Sequence, residues 1–416
     1  MLKCRKQQRK ENSYKHFGYV NDNTIMRKEG QMSTVRVKVK PEVFYWVQSQ
    51  VNMENLKQSL KDKFGQWLIG EQDPTFRQIE DLSRATHIPL GYFFLNAPPV
   101  ENNELIEFRT VDSLELANPS RDLIDTINDM EKIQDWMKDY LKEQSFERLS
   151  YVGSQKENSN ISHVADNIRE ILEIQKDWYK ESADAWSSFK IIREKLQNIG
   201  VIVMMNGIVG SNTHRVLNID EFRAFTLVDE LAPLIFINAQ DSYSARLFSL
   251  FHEVVHVWYG TNSLFNDKYC ILNQNERKCN NIAAELIIPN DLFIKSWELA
   301  EGEDKQEIIK GISNEFKCGM TVVARRALDN GFISPDEYKE FADIARQLFY
   351  EKKRTGKSGG NYYNTALTRI DKRLLIALNN SAYEGKTAFT DVYRLTKTTR
   401  TTFENLITKS IGAADE

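Results

Sequence analysis

His252, Glu253 and His256 form the pentad His-Glu-Val-Val-His inside "LFSLFHEVVHVWYG" (247–260), which holds two of the chain's six histidines. On a helix, residues four apart share a face, so both imidazoles reach the same ion. Neutral imidazole nitrogen is a good zinc donor. Glu253 follows His252 by one position, turned by about 100° around the axis. There it can address an activated water without occupying a coordination position, which is the division of labour that zinc-assisted hydrolysis requires. The contrasting reading is a buried helix whose two histidines are satisfied by backbone carbonyls.

A catalytic zinc takes three protein ligands and keeps a fourth position open. No third histidine follows at metzincin spacing. The downstream acids lie in "QNERKCNNIAAELIIPND", where Glu276 and Glu285 are nine residues apart and so on opposite faces of one helix. Glu276 shares its face with Asn280 and Ala283, small residues that allow close approach to the histidine helix. It is therefore expected as the third ligand, with Glu285 a solvent-facing or supporting group. His214, Arg215 and Tyr243 are candidates to stabilise an oxyanion. The stretch "FTLVDELAPLIFINA" is expected to supply an edge strand that receives substrate backbone.

The elements that must position these groups can also be read. Asp241 or Ser242 caps the histidine helix and Gly260 stops it. Its apolar residues lie on nearly every side, as in a buried helix. Ahead of it come a helix opened by "ISHVADNIREILEI", another through Phe189, Ile192 and Leu196 that ends at Gly200, and three strands: "VIVMMNG", "FRAFTLVD" and "PLIFINA". Nearer the N-terminus, Thr75 and Gln78 form a capping box before a stripe of Phe76, Ile79, Leu82 and Ala85, stopped by Pro89 and Gly91.

"FSLFHEVVHVWYG" followed by "ERKCNNIAAELIIP" resembles the paired signature of the ImmA/IrrE family of metallopeptidases, over about 161–289. The resemblance implies that His252, His256 and Glu276 hold Zn2+ and that Glu253 is the catalytic residue. Cys279 departs from it, standing where alanine is usual. We read it as one small buried residue replacing another, although a thiolate there would compete for zinc or be oxidisable. "FGQWLIGEQDPTFRQIEDLSRATHIPLGYFF" is similar to the later helices of an XRE-type helix-turn-helix domain, a frequent companion of that family. The fold class implied is α+β, predominantly helical: a zincin-like HExxH metallopeptidase domain with a small sheet, flanked by helical domains. The function implied is a cytosolic, site-specific zinc endopeptidase. Its substrate would be a regulatory protein, a repressor or antitoxin, in a stress, mobile-element or toxin–antitoxin setting. The alternative is a non-proteolytic DNA- or toxin-binding regulator that uses the fold as a scaffold.

The bulk properties agree. A chain of 416 residues is long for one core. We divide it into a disordered leader (1–31), the helix-turn-helix domain (32–105), a helical connector (106–160), the peptidase domain (161–300) and a C-terminal helical domain (301–416). Met32 opens the first foldable stretch and is a candidate natural start. The net charge of −4 excludes a general polyanion binder, leaving DNA as a partner only through the N-terminal region. The four cysteines lack CxxC spacing, which fits a reducing cytoplasm. No apolar run is long enough for a membrane span. "IIKGISNEFKCGMTVVARRALDNGFIS" reads as a helical cap on the peptidase, the alternative being a second helix-turn-helix module. "YEKKRTGKSGGNYYN" reads as a basic linker, with Tyr362 and Tyr363 as possible stacking groups.

Overall fold

The computed structural model describes residues 35–51, 53–99, 119–266, 274–300, 304–355 and 362–412. The expected leader, Met32, residues 106–118 of the connector and 356–361 of the basic linker lie outside them. The chain is mostly helical, with one mixed four-stranded sheet.

Three N-terminal helices, α1 (Pro41–Gln50), α2 (Gln58–Leu68) and α3 (Phe76–Thr86), enclose a core of their own around Phe44, Phe64, Trp67, Ile79, Leu82 and Phe93. The capping box forms: Gln78 N–H donates to Thr75 Oγ1, and Thr75 N–H donates to Gln78 Oε1. The expected stripe is right at its centre and wrong at both ends. Phe76 is exposed and packs on Phe94, while Ala85 is exposed and Thr86 takes the inward position. The buried row 79, 82, 86 keeps the helical spacing, one residue out of register with the row expected at its C-terminal end.

The remainder is built on the sheet, with strands β1 (Ile202–Asn206), β2 (Ala224–Leu227), β3 (Leu234–Asn238) and β4 (Ser263–Phe265) in the order β1-β3-β2-β4. β1 runs parallel to β3, and the other pairings are antiparallel. Strand residues alternate between faces, and each face feeds a different core. Val203, Met205, Ala224, Ile235 and Ile237 join one, and Ile202, Met204, Phe225, Leu227, Leu234 and Phe236 the other. The strands are accordingly apolar on both sides, as in a sheet covered twice.

The first core is roofed by α5 (Ile161–Leu172), α6 (Ala185–Asn198), the histidine helix α7 (Tyr243–Tyr259), α8 (Gln274–Ile287) and α9 (Asn290–Leu299). Ile308, Ile309 and Ile312 of α10 (Lys305–Glu315), Phe316 just after it, and Val322 and Val323 of α11 (Met320–Asp329) join the same core, so this helix pair caps it. α12 (Pro335–Thr355) packs along α11.

The opposite face is covered by α4 (Arg121–Glu143) together with α13 (Tyr362–Arg369), α14 (Lys372–Tyr383), α15 (Phe389–Thr396) and α16 (Arg400–Gly412). α4 falls within the segment read as a connector, yet Leu123, Ile127, Ile133 and Met137 pack on the sheet. The basic tract is partly helical: α12 runs to Thr355 and α13 starts at Tyr362.

Two corrections concern the strands. β2 and β3 are interior, so "FTLVDELAPLIFINA" supplies no edge. The edges are β1 and β4, and β4 was not expected, because three residues are too few to show an alternation.

Candidate metal and active site

The site is assembled mainly from two helices whose positions are fixed by apolar packing. Ser242 caps α7 by accepting from Ala245 N–H. Gly260 ends it with φ +69°, in the left-handed region. A loop then takes up its last carbonyls: Gly153 N–H donates to Val257 O and Gln155 N–H to Trp258 O. Trp258 stacks on Tyr151, and its indole N–H donates to Asn167. From Ser249 to Tyr259 every side chain of α7 is buried.

Within this buried helix lie the three expected polar residues: His252 and Glu253 fully enclosed, and His256 nearly so. The two imidazoles face each other with Nε2···Nε2 at 3.2 Å. Glu276 on α8 points into the same space, with Oε2 3.1 Å from His252 Nε2 and Oε1 3.8 Å from His256 Nε2. One donor atom from each of the three residues lies within 4.8 Å of the others.

The far side of each imidazole is held. His252 Nδ1 is 2.9 Å from Asn280 Oδ1, a contact that assigns the proton to Nδ1 and leaves the Nε2 lone pair facing the cluster. His256 Nδ1 lies 3.1 Å from Thr261 Oγ1. Phe265 of β4 covers His252, ring centroids 4.0 Å apart. Asn280 is the group that sequence reasoning placed on the correct face without assigning it a role. Four residues after Glu276, it projects from α8 beside it.

The electrostatics favour a cation at this point. Burial pulls the His256 imidazolium down, but Cys279 and Glu276 outweigh it and hold its pKa well above the ordinary histidine value. Burial pushes the Glu276 carboxyl up, but hydrogen bonds to His252 and His256 overcome this and hold it far below the ordinary carboxylate range. Two imidazole nitrogens and a carboxylate around one point are also the donor set of a zinc site. The residues therefore fit a divalent metal.

Glu253 is not part of this triad. Its Oε2 accepts from Thr226 Oγ1 of β2 at 2.5 Å, while its Oε1 is buried and has no partner among the described residues. A buried carboxylate oxygen with nothing to accept from is costly unless a proton donor arrives there.

The other expected residues lie elsewhere. Glu285 is nearly buried and held by Arg326 at 2.7 Å, with Arg169 at 3.8 Å, so it ties α8 to α11 and α5 and does not face solvent. Arg215 is engaged by Asp122 and Asp125 of α4 on the opposite side of the sheet. Tyr243 sits at the far end of α7, its ring tilted against Trp186. His214 is exposed in the loop after β1. None of these three approaches the histidine–glutamate cluster. Cys279 is fully buried one turn after Glu276, beside His256.

A family model of the IrrE N-terminal-like domain, a peptidase family, matches residues 210–328, from the loop before β2 to the end of α11. The match supports the ImmA/IrrE family and a metallopeptidase-like function for this segment. A second family model, a domain of unknown function, matches residues 370–409. No curated protein and no solved structure matches the chain.

Proposed function

We propose that this protein is a zinc-dependent endopeptidase. The observation that carries the reading is the pairing of a three-donor cluster with a separate carboxylate oxygen, Glu253 Oε1, buried and unpartnered on the same helix. His252 and His256 through Nε2, and Glu276 through its carboxylate, would hold the ion. When bound, zinc supplies Lewis acidity, polarising a peptide carbonyl and making a water acidic enough to attack it near neutral pH. Glu253 takes up the water's proton at Oε1 and delivers it to the leaving amine nitrogen. Asn280 and Thr261 keep both imidazoles in the orientation that presents Nε2. The surrounding apolar side chains exclude bulk water and so strengthen each of these interactions.

The substrate in this reading is a regulatory protein, a repressor or antitoxin, cut at a specific position in the cytoplasm. Support comes from the matched peptidase segment and from the three-helix N-terminal unit, which has a core separate from the rest and is suited to recognising a partner. In that unit, residues 35–99, eight Lys and Arg are balanced by seven Asp and Glu. That balance favours a protein partner over DNA, whose binding needs a concentrated positive surface.

Metal analysis and one variant test the reading. Purified protein should carry about one zinc per chain. His252→Ala and Glu276→Ala should lose it, while Glu253→Gln should keep the metal and the fold yet lose cleavage of a co-expressed partner by 10²–10⁴-fold. Equal zinc in all four proteins would refute the ligand assignment. Full biological effect in Glu253→Gln would refute proteolysis.

A further inference from the structure

Thr226 stands in the middle of β2, completely buried, on the face turned towards α7. The strand residue two before it on that face is Ala224, and the helix above presents mainly apolar groups. A hydroxyl in such a place needs a partner. It has one: Thr226 Oγ1 is 2.5 Å from Glu253 Oε2, and a second, longer approach at 3.4 Å reaches the Glu253 carbonyl. A hydroxyl carries a single proton, and the short contact shows that it is donated to the carboxylate.

The pair is asymmetric. One oxygen of Glu253 is held and the other is not. The holding group is also rigid. Thr226 is β-branched, which restricts its χ1, and its strand is hydrogen-bonded to β3 on one side and β4 on the other. Glu253, by contrast, has three side-chain torsions to fix. Valine would fill the same volume among apolar neighbours with no hydroxyl to satisfy, so packing alone does not account for threonine here.

We propose that Thr226 is a positioning residue for Glu253: it anchors the carboxylate by Oε2, so that Oε1 is the atom that receives and returns the proton. The inference rests on the peptidase reading above. It adds that the base is oriented by the sheet and not by its own helix. Rotation about the last torsion of Glu253, which would exchange the two oxygens and sweep the carboxylate off line, is stopped by one hydrogen bond.

The test compares full-length, zinc-loaded wild type with Thr226→Val, Thr226→Ser and Glu253→Gln. The probe is a pool of protein-derived peptides read by mass spectrometry, and kinetics follow on a peptide that wild type cuts. Thr226→Val should keep its zinc and its KM but lose about 10-fold or more in kcat, less than the 10²–10⁴-fold typical of losing a general base, because Glu253 is displaced and not removed. Thr226→Ser, which restores the hydroxyl but not the methyl, should recover most of that loss. Crystal structures supply a readout independent of activity: the Glu253 carboxylate should leave its position in Thr226→Val and keep it in Thr226→Ser. If Thr226→Val cleaves as fast as wild type, or if Thr226→Ser is as slow as Thr226→Val, Thr226 is not a positioning residue and the peptidase reading stands. If wild type is no faster than Glu253→Gln, the peptidase reading falls, and this inference falls with it.

Discussion

At the scale of single residues, the proposed metal site at His252, His256 and Glu276 is one where a proton and a metal would compete. Without an ion, His256 is held in its charged form by Cys279 and Glu276 to well above the ordinary histidine pKa. A raised pKa stabilises the fold below the unfolded value of 6.5, and this contribution is lost as pH rises through the raised value. Zinc takes neutral imidazole, so it has the opposite preference. The gain in melting temperature on adding zinc to metal-free protein should therefore be small near about pH 5.5 and grow towards about pH 8. Binding should release protons, measurable by calorimetry in buffers of differing ionisation enthalpy. A gain independent of pH would show that His256 is not a ligand. Asn280→Ala removes the acceptor on His252 Nδ1 and should weaken zinc by about 10–100-fold without unfolding the protein.

At the scale of elements, the site depends on how α7 ends and how α8 is held. A Cβ at Gly260 would lie 2.9 Å from the Gly153 Cα, and the φ of +69° disfavours any side chain. Gly260→Ala should cost about 1–3 kcal/mol in urea unfolding and loosen the loop that carries Thr261. Glu285→Ala would take from the buried Arg326 its close carboxylate, while Arg169 keeps Asp166, at a cost of about 3–5 kcal/mol, yet zinc content should be unchanged. If metal is lost from folded Glu285→Ala, the third ligand was chosen wrongly. Both helices were legible in the sequence because their information is local. The four-residue spacing of His252 and His256, the caps at Ser242 and Gly260, and the opposite faces of Glu276 and Glu285 all follow from helical geometry. The groups that complete the site were not legible. Thr226 lies 27 residues before Glu253, and nothing in an apolar strand marks which hydroxyl will face it. β4 is only three residues long, so it carries no period, although Phe265 lies over His252.

At the scale of the whole molecule, one sheet serves two cores, and the cover on the side away from the site comes from distant parts of the chain. α4 was read as a connector from its acidic surface, since an amphipathic stripe shows that a helix packs but not on what. With α4, the helices after residue 362 cover Ile202, Met204, Phe225, Leu227, Leu234 and Phe236. Removing residues 356–416 should therefore expose an apolar sheet face and yield aggregated protein, seen by size-exclusion chromatography. Removing residues 1–118 takes away a unit with a core of its own, and the rest should stay soluble and bind zinc. If the C-terminal truncation is monodisperse and binds zinc, the sheet's second cover is dispensable.

The join at the first strand carries a consequence for inheritance. Asp371, fully buried, accepts from Val203 N–H, from the Gln197 side chain and from Leu374 N–H, while Arg193 donates to the carbonyls of Thr368, Ile370 and Val203. The two matched segments, 210–328 and 370–409, thus meet through residues 193–203, which belong to neither. Shuffling at their boundaries would strand a carboxylate or a guanidinium in the interior, so exchanging either piece alone would carry a folding cost. A chimera that exchanges the last segment for a foreign one should fold only if the donor also contributes a carboxylate in the place of Asp371, to accept from Val203 N–H and the Gln197 side chain. Exchanges that move the whole lock together would avoid that cost.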